Sequence, residues 1–181
     1  VMKKILMYSS NEQNISVVRE IMQQEKTDFI LIGDEQLKLT VQLAFLLDKD
    51  QTGDHRKMSG EYLLMDGITK EEWYTLFKNI KRRIKNFDVI VIIRTSHNQH
   101  WNLLEVFRKA TQEKELMAMV MELESILSRA NQLDLNSLEK SQREEIKHAL
   151  MSSYLLLSQG KFEKEQVKEH LILLKEILKG K

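Results

Sequence analysis

Residues Phe87–Phe107 read FDVIVIIRTSHNQHWNLLEVF, and they contain a strand, a polar cluster and the start of a helix. Val89–Ile93 is an unbroken β-branched run, typical of a strand that is buried on both faces in the middle of a parallel sheet. Five polar residues follow, and Trp101, Leu104 and Phe107 then recur at helical spacing. Open α/β sheets bind ligands beyond the carboxyl ends of such strands, so we expect a site here first.

Three other segments repeat the pattern of an apolar strand followed by polar residues and an amphipathic helix: Lys3–Tyr8, Phe29–Ile32 and Tyr62–Met65. Strands that alternate with helices pair in parallel through right-handed crossovers. After Thr111 no further strand pattern occurs, and apolar residues follow helical spacing. The predicted fold class is therefore α/β. A small four-stranded, mostly parallel sheet with flanking helices occupies residues 1–110, and a helical segment of three helices occupies residues 111–181.

The capping pair Thr69 and Glu72 predicts where the third helix of the sheet domain begins, with Ile68 and Trp73 as a hydrophobic staple. Trp101 is expected in the core, because it shares a helical stripe with other large apolar residues. The segment Glu35–Asp48 is predicted to be a helix with two opposed apolar stripes, buried on both sides by the carboxyl-terminal helices or by a second subunit. Its stripes are Leu37, Val41, Ala44 and Phe45 against Leu39, Leu43, Leu46 and Leu47.

Composition excludes several classes of protein. The 181 residues carry 28 basic and 27 acidic side chains, a net charge of +1 that provides no global attraction for nucleic acid. The absence of cysteine removes disulfides, thiolate chemistry and cysteine-based zinc sites. Apolar runs are too short to cross a membrane, and the amino terminus lacks the apolar core of a secretion signal, so we expect a cytoplasmic protein.

If all strands run parallel, their carboxyl ends meet at one edge of the sheet and form a polar cluster. The candidate ligand-binding residues there are Ser9, Ser10, Asp34, Asp66, Arg94, Thr95, His97 and Asn98. Arg94 could hold an anion, with helix starts adding backbone donors. The structural alternative pairs Arg94 with Asp66 or Asp34, makes Ser10 and Asn98 helix caps and places Asp66 in a turn. His97 and His100 lack a third metal ligand, and no phosphate-binding glycine loop occurs, so we expect no metal and no cofactor.

This pattern favours a binding or regulatory module that acts through a protein partner or through self-association, because amphipathic helices abound and catalytic spacing is missing. One alternative is a sensor or enzyme for a small molecule or anion that uses Arg94, Asp66 and His97. Another is a degenerate receiver domain, with Asp66 at the phospho-acceptor position and Thr95 at the switch position. Receivers carry an acidic pair after the first strand, where this chain has Ser9 and Ser10, and a fifth strand with a lysine, which this sequence does not show.

The segments YLLMDGITKEEW, RTSHNQHW and LLEVF resemble, in this order, an uncharacterised bacterial family, the domain of unknown function 3783. The resemblance covers residues 62–117. The matching positions are Gly67, Thr95, Asn98, Trp101 and Leu104. It implies a strand, a glycine loop, a helix and a second strand that leads into the threonine, asparagine and tryptophan. That family has no assigned activity, so the resemblance implies a domain and no reaction.

Overall fold

One four-stranded sheet lies at the centre of the amino-terminal part of the chain. The structure is a computed structural model and describes residues 2–181. The chain divides after Thr111 into two compact units. The strands and α-helices, in chain order, are β1 (Lys4–Tyr8), α1 (Glu12–Gln24), β2 (Asp28–Leu31), α2 (Val41–Ala44), β3 (Glu61–Asp66), α3 (Lys70–Arg83), β4 (Val89–Ile93), α4 (Leu103–Ala130), α5 (Lys140–Ser158) and α6 (Lys164–Ile177).

The strand order is β2-β1-β3-β4. β1 pairs in parallel with β2, and β3 pairs in parallel with β4, so the predicted mostly parallel α/β sheet is confirmed. The two central strands, β1 and β3, pair antiparallel. The expectation that all four strands point the same way is therefore wrong. The sheet consists of two parallel βαβ halves. They lie side by side with their strands in opposite directions and meet at the antiparallel pair of β1 and β3.

One face of the sheet is covered by α1 and α3. Asn11 caps α1, since its side chain accepts a hydrogen bond from the Asn14 amide. The predicted capping box of Thr69 and Glu72 is confirmed at the start of α3. Apolar residues at helical spacing then turn toward the strands and form a buried cluster. It includes Ile5, Met7, Val18, Ile21, Met22, Leu63, Met65, Leu76 and Ile80.

The other face is covered by residues 34–47 and by the start of α4. The predicted helix Glu35–Asp48 is wrong, because a 3₁₀ turn at Asp34–Lys38 is followed by the extended residue Leu39 and by the single helical turn α2. The predicted burial on both sides is also wrong, since Leu43 and Leu46 are 51% and 74% exposed. The buried residues of this face are Leu37, Val41, Ala44, Phe45, Leu103, Val106 and Phe107, which pack on Leu6, Tyr8, Ile30, Tyr62, Leu64 and Ile92.

β4 has the predicted bounds, but it is an edge strand and not a central one. Three of its five residues are partly buried, and Ile93 is 57% exposed. The helix after it begins at Leu103 and not at Trp101. Trp101 is 37% exposed and lies under the Lys109 ammonium, 4.5 Å from the ring centre, so its expected core position is wrong.

The carboxyl-terminal unit is helical. One continuous α4 replaces the two helices expected on either side of Thr111. Residues 135–137 form a 3₁₀ turn, and α5 starts at Lys140. Gly160, with φ at +68°, lies just after α5. The second core of this unit includes Val120, Leu123, Leu127, Ile146, Ala149, Leu150, Val167, Leu171 and Leu174.

Candidate functional site

The antiparallel pairing of β1 with β3 separates the predicted site residues into two groups. Tyr8 at the end of β1 lies opposite Tyr62 at the start of β3, and Lys4 lies opposite Asp66. The carboxyl ends of β1 and β2 are therefore at one edge of the sheet, and those of β3 and β4 are at the other. Ser9, Ser10 and Asp34 belong to the first edge, and Asp66, Arg94, Thr95, His97 and Asn98 belong to the second.

At the first edge, Asp34 organises the loop that leads into β3. Its carboxylate accepts hydrogen bonds from the Tyr8 hydroxyl at 2.6 Å and from the backbone amides of Arg56 and Lys57, both at 3.1 Å. Burial raises the pKa of Asp34, but these three donors outweigh burial and hold the pKa below its usual range. Burial, together with the Asp34 hydrogen bond, raises the pKa of Tyr8 to about 12. Asp34 thus has a structural role as an acceptor for three donors.

The neighbouring polar residues at this edge also bond to each other. The Ser9 hydroxyl donates to Glu61 at 2.5 Å, and the Asn14 amide donates to both oxygens of the same carboxylate at 3.0 Å. His55 lies within hydrogen-bond distance of the Ile32 carbonyl, at 2.8 Å from its Nε2. Ser10 is exposed, and the residue that caps α1 is Asn11. Sequence reasoning missed Glu61 and Asn14, because only the antiparallel register brings the start of β3 beside the end of β1.

At the second edge, Arg94 pairs with Asp66 over 2.8 Å, as the structural alternative predicts. The guanidinium also lies over the Phe45 ring, 5.6 Å from its centre. Because β1 and β3 run antiparallel, Asp66 lies at the end of the strands opposite to Ser9 and Ser10. The receiver alternative requires these positions to share one edge, so the observed strand directions contradict it.

The residues that follow β4 form a tight turn. Asn98 accepts from the Thr95 amide at 2.8 Å, its own amide donates to the Thr95 hydroxyl at 3.1 Å, and its side chain donates to the Ile93 carbonyl at 2.9 Å. Asn102 and Glu105 then exchange side-chain to backbone hydrogen bonds at the start of α4. His97 and His100 are exposed. Thr95 and Asn98 thus shape the exit of β4.

The two edge strands of the sheet differ in how they are covered. On β2, the Leu31 amide donates to the Asp50 carboxylate at 2.9 Å, and the Leu31 carbonyl accepts from the Gln51 amide at 2.8 Å. Arg19 holds Asp50 in place with an ion pair of 2.7 Å. The loop after α2 therefore occupies the outer hydrogen-bonding positions of this strand at Leu31.

The outer side of β4 has no such cover. The Arg94 amide donates inward to the Met65 carbonyl, so by the period of two the backbone groups of Val89, Val91 and Ile93 point away from β3. Within residues 2–181, the only hydrogen bond assigned to these outward groups is the one from Asn98 to the Ile93 carbonyl. The strand contains no charged residue and no proline, which are the usual protection of an exposed edge.

The helical unit contains a groove of about 740 Å³ along α5 and α6. Met151, Leu155, His148 and His170 are among the residues that line it. The buried Ser153 hydroxyl donates to the Ala149 carbonyl at 2.9 Å, which leaves its oxygen to accept from Nδ1 of His170, also at 2.9 Å. This bond fixes the orientation of the His170 ring in the groove wall.

Comparison with known proteins gives no match to a family model, to a curated protein or to a solved structure. The resemblance to the domain of unknown function 3783 therefore stays a prediction. Its matching positions Thr95 and Asn98 form the turn that ends β4, and Gly67, with φ at +70°, follows β3. In the described part of the chain, no helix is both long enough and apolar enough to span a membrane.

Proposed function

We propose that this protein is a non-enzymatic binding module that acts through protein contacts, and that it binds an extended segment of its partner along the outer side of β4. The observation that carries the proposal is the row of outward backbone groups on β4 that have no hydrogen-bond partner among residues 2–181: the N–H and C=O of Val89 and Val91 and the N–H of Ile93. An added strand pairs with such a row and extends the sheet, which is a recurring mode of peptide recognition. A bacterial origin and a cytoplasmic location are part of the same proposal.

The side chains of β4 support strand addition on both faces of the sheet. Val89 and Val91 pack at the margin of the cluster under α1 and α3, and Ile90 and Ile92 belong to the opposite cluster. Ile93 extends the first row into solvent. Each backbone hydrogen bond of an added strand contributes about 0.5–1.5 kcal/mol, and each aliphatic or β-branched cross-strand pair adds roughly 0.2–1 kcal/mol. These gains are what an added strand would set against the cost of association.

The contrast between the two outer strands of the sheet, β2 and β4, also supports the proposal. Both are outer strands of a parallel βαβ half, yet the outward groups of Leu31 on β2 are satisfied by Asp50 and Gln51. An exposed edge of apolar β-branched residues promotes association unless it is covered or charged. A binding role for β4 accounts for the lack of both a covering loop and a charged residue on that strand.

The alternative of a small-molecule or anion sensor has weaker support. An anion at Arg94 would have to compete with the ion pair to Asp66, and one at Asp34 would meet a carboxylate that already accepts three hydrogen bonds. A cavity beside Asp34, lined also by Lys38, Lys57 and Asn102, measures about 250 Å³. Pockets for drug-sized ligands measure roughly 300–1,000 Å³, so this one suits at most a very small ligand.

Strand addition can be tested with a generic strand-forming probe, the extended peptide KVTVTVK, by NMR titration of the isotope-labelled protein. We expect the largest shifts and the strongest protection from hydrogen exchange at the amides of Val89, Val91 and Ile93. Val91→Pro removes one outward donor without removing an inward one, because the Val91 N–H points away from β3. Proline is tolerated at such a position of an edge strand. Val91→Thr keeps the donor and the β-branched shape, and it is the matched control.

The proposal predicts that Val91→Pro abolishes peptide binding and that Val91→Thr retains it, with both variants folded by circular dichroism. Shifts that cluster on the groove residues Met151 and Leu155, or equal binding by both variants, would show that β4 is not the binding edge. The absence of binding up to millimolar peptide, under conditions in which the chain is monomeric by sedimentation, would reject strand addition as the function.

A further inference from the structure

Resting on the proposed function, we infer that the strand received by β4 is β4 of a second copy of this chain. The two strands run antiparallel across a two-fold axis that passes by Val91. In this register Val91 lies opposite Val91 of the second copy, and Val89 lies opposite Ile93. The product is one continuous eight-stranded sheet with β2 at both ends.

The charges that flank β4 select this partner. Asp88 comes directly before the strand and Arg94 directly after it, each three positions from Val91. The two-fold axis therefore places Asp88 of each copy opposite Arg94 of the other. Both residues have the parity of Ile90 and Ile92, so both side chains lie on the same face of the sheet. They form a non-hydrogen-bonded pair, in which Cα atoms approach to about 4.5 Å.

Both side chains have capacity for this contact. Arg94 uses Nη1 for Asp66, and a guanidinium has five N–H donors in all. Asp88 is exposed, and a carboxylate offers about four acceptor positions, so a contact with the second copy adds to those within its own copy. Asp66, Arg94 and the second copy's Asp88 would then form one line of alternating charge, twice per dimer.

Other registers lose this match. A shift of two residues places Arg94 opposite Asn86 or Ile90, and it leaves one end of the apolar strand without a partner. A parallel arrangement of the two copies would bring Asp88 near Asp88. The central register also covers the exposed side chain of Ile93 with Val89, which is a favourable pair of β-branched residues.

A cysteine cross-link tests the register directly, because the chain contains no cysteine of its own. Residues that face each other in a hydrogen-bonded antiparallel pair have Cα atoms about 5.5 Å apart, within the range that a disulfide spans. Val91→Cys is therefore expected to form a covalent dimer under mild oxidation of the full-length protein. Leu46→Cys is the control, since Leu46 is 74% exposed and outside the predicted interface.

Sedimentation equilibrium of the unmodified chain gives the dimer dissociation constant for comparison. Asp88→Arg places two positive groups opposite each other, so we expect its dimerisation to weaken about tenfold or more, and Asp88→Asn to weaken it less. Dimerisation that is unchanged in Asp88→Arg, or Val91→Cys that cross-links no faster than Leu46→Cys, would overturn the inference.

The failures of the two proposals are distinguishable. A chain that remains monomeric at high concentration but binds KVTVTVK at β4 overturns the second copy as partner and leaves strand addition in place. A dimer that forms without protection of the β4 amides also overturns the second copy as partner, and a monomeric chain that does not bind KVTVTVK contradicts both proposals.

Discussion

The Tyr8 hydroxyl donates to Oδ1 of Asp34 over 2.6 Å, and the same hydroxyl accepts from the Met58 amide at 3.2 Å. Asp34→Asn places an amide donor where the carboxylate accepts, so one part-buried N–H of the loop loses its acceptor. We expect a loss of about 0.5–1.5 kcal/mol in the free energy of unfolding, measured with urea. Asp54→Asn, at an exposed position of the same loop, should change it by less than about 0.5 kcal/mol.

The same pair predicts how stability depends on pH. The folded pKa of Asp34 is lowered, so its contribution is present above the unfolded pKa of about 3.9 and is lost as pH falls through the folded value. The folded pKa of Tyr8 is raised to about 12, so its contribution is present below about pH 10 and is lost as pH rises toward 12. Asp34→Asn should flatten the acid limb of the stability curve, and Tyr8→Phe should flatten the alkaline limb.

Two aromatic residues at the start of α4 should respond differently to truncation. Phe107 is fully buried and stacks on Tyr62 with ring centres 4.3 Å apart, so Phe107→Ala should cost about 3–5 kcal/mol. Trp101 is 37% exposed and lies under Lys109, and Trp101→Ala should cost about 1–2 kcal/mol. Thermal and urea unfolding of both variants measure the difference. An equal loss of stability in the two variants would indicate that Trp101 has the core position expected from sequence.

The buried Lys4 fastens the chain after α2. Its ammonium donates to the carbonyls of Phe45, at 2.9 Å, and Leu47. Lys4→Met retains most of the side-chain length but leaves two carbonyls without this donor, so we expect a loss of about 1–3 kcal/mol. Hydrogen exchange should also quicken in residues 41–47. Lys38→Met, at an exposed position, is the control, and a similar effect there would contradict the role of Lys4.

Local signals were sufficient to predict the elements of the sheet and not its strand directions. The bounds of β4 and the capping box at Thr69 follow from residue type and spacing. A four- to six-residue apolar strand has the same composition whether its neighbour runs parallel or antiparallel. Residues 32–60 separate β2 from β3, and a connection of that length permits either direction. The predicted single site failed for this reason, because it required Asp34 and Asp66 to share an edge.

The predicted helix over residues 35–48 failed because long-range hydrogen bonds replace helical ones. The Leu39 carbonyl accepts from the Leu103 amide, and the Val41 and Gln42 amides donate to the Trp101 and Gln99 carbonyls. Thr40 caps the short α2 through its side chain. Apolar periodicity in this segment reflects one buried face. It contains no information about backbone hydrogen-bond partners that lie about sixty residues away in the chain.

The antiparallel junction between the two βαβ halves has a consequence for the order in which the sheet folds. The parallel pairings link Lys4 with Asp28 and Glu61 with Val89, 24 and 28 positions apart, whereas the central pairing links Tyr8 with Tyr62, 54 positions apart. Each doubling of a closed loop adds about 0.6 kcal/mol of entropic cost. We expect each half to form before the seam between β1 and β3 closes. Leu64→Ala, on that seam, should then speed unfolding in stopped-flow experiments and leave the refolding rate nearly unchanged.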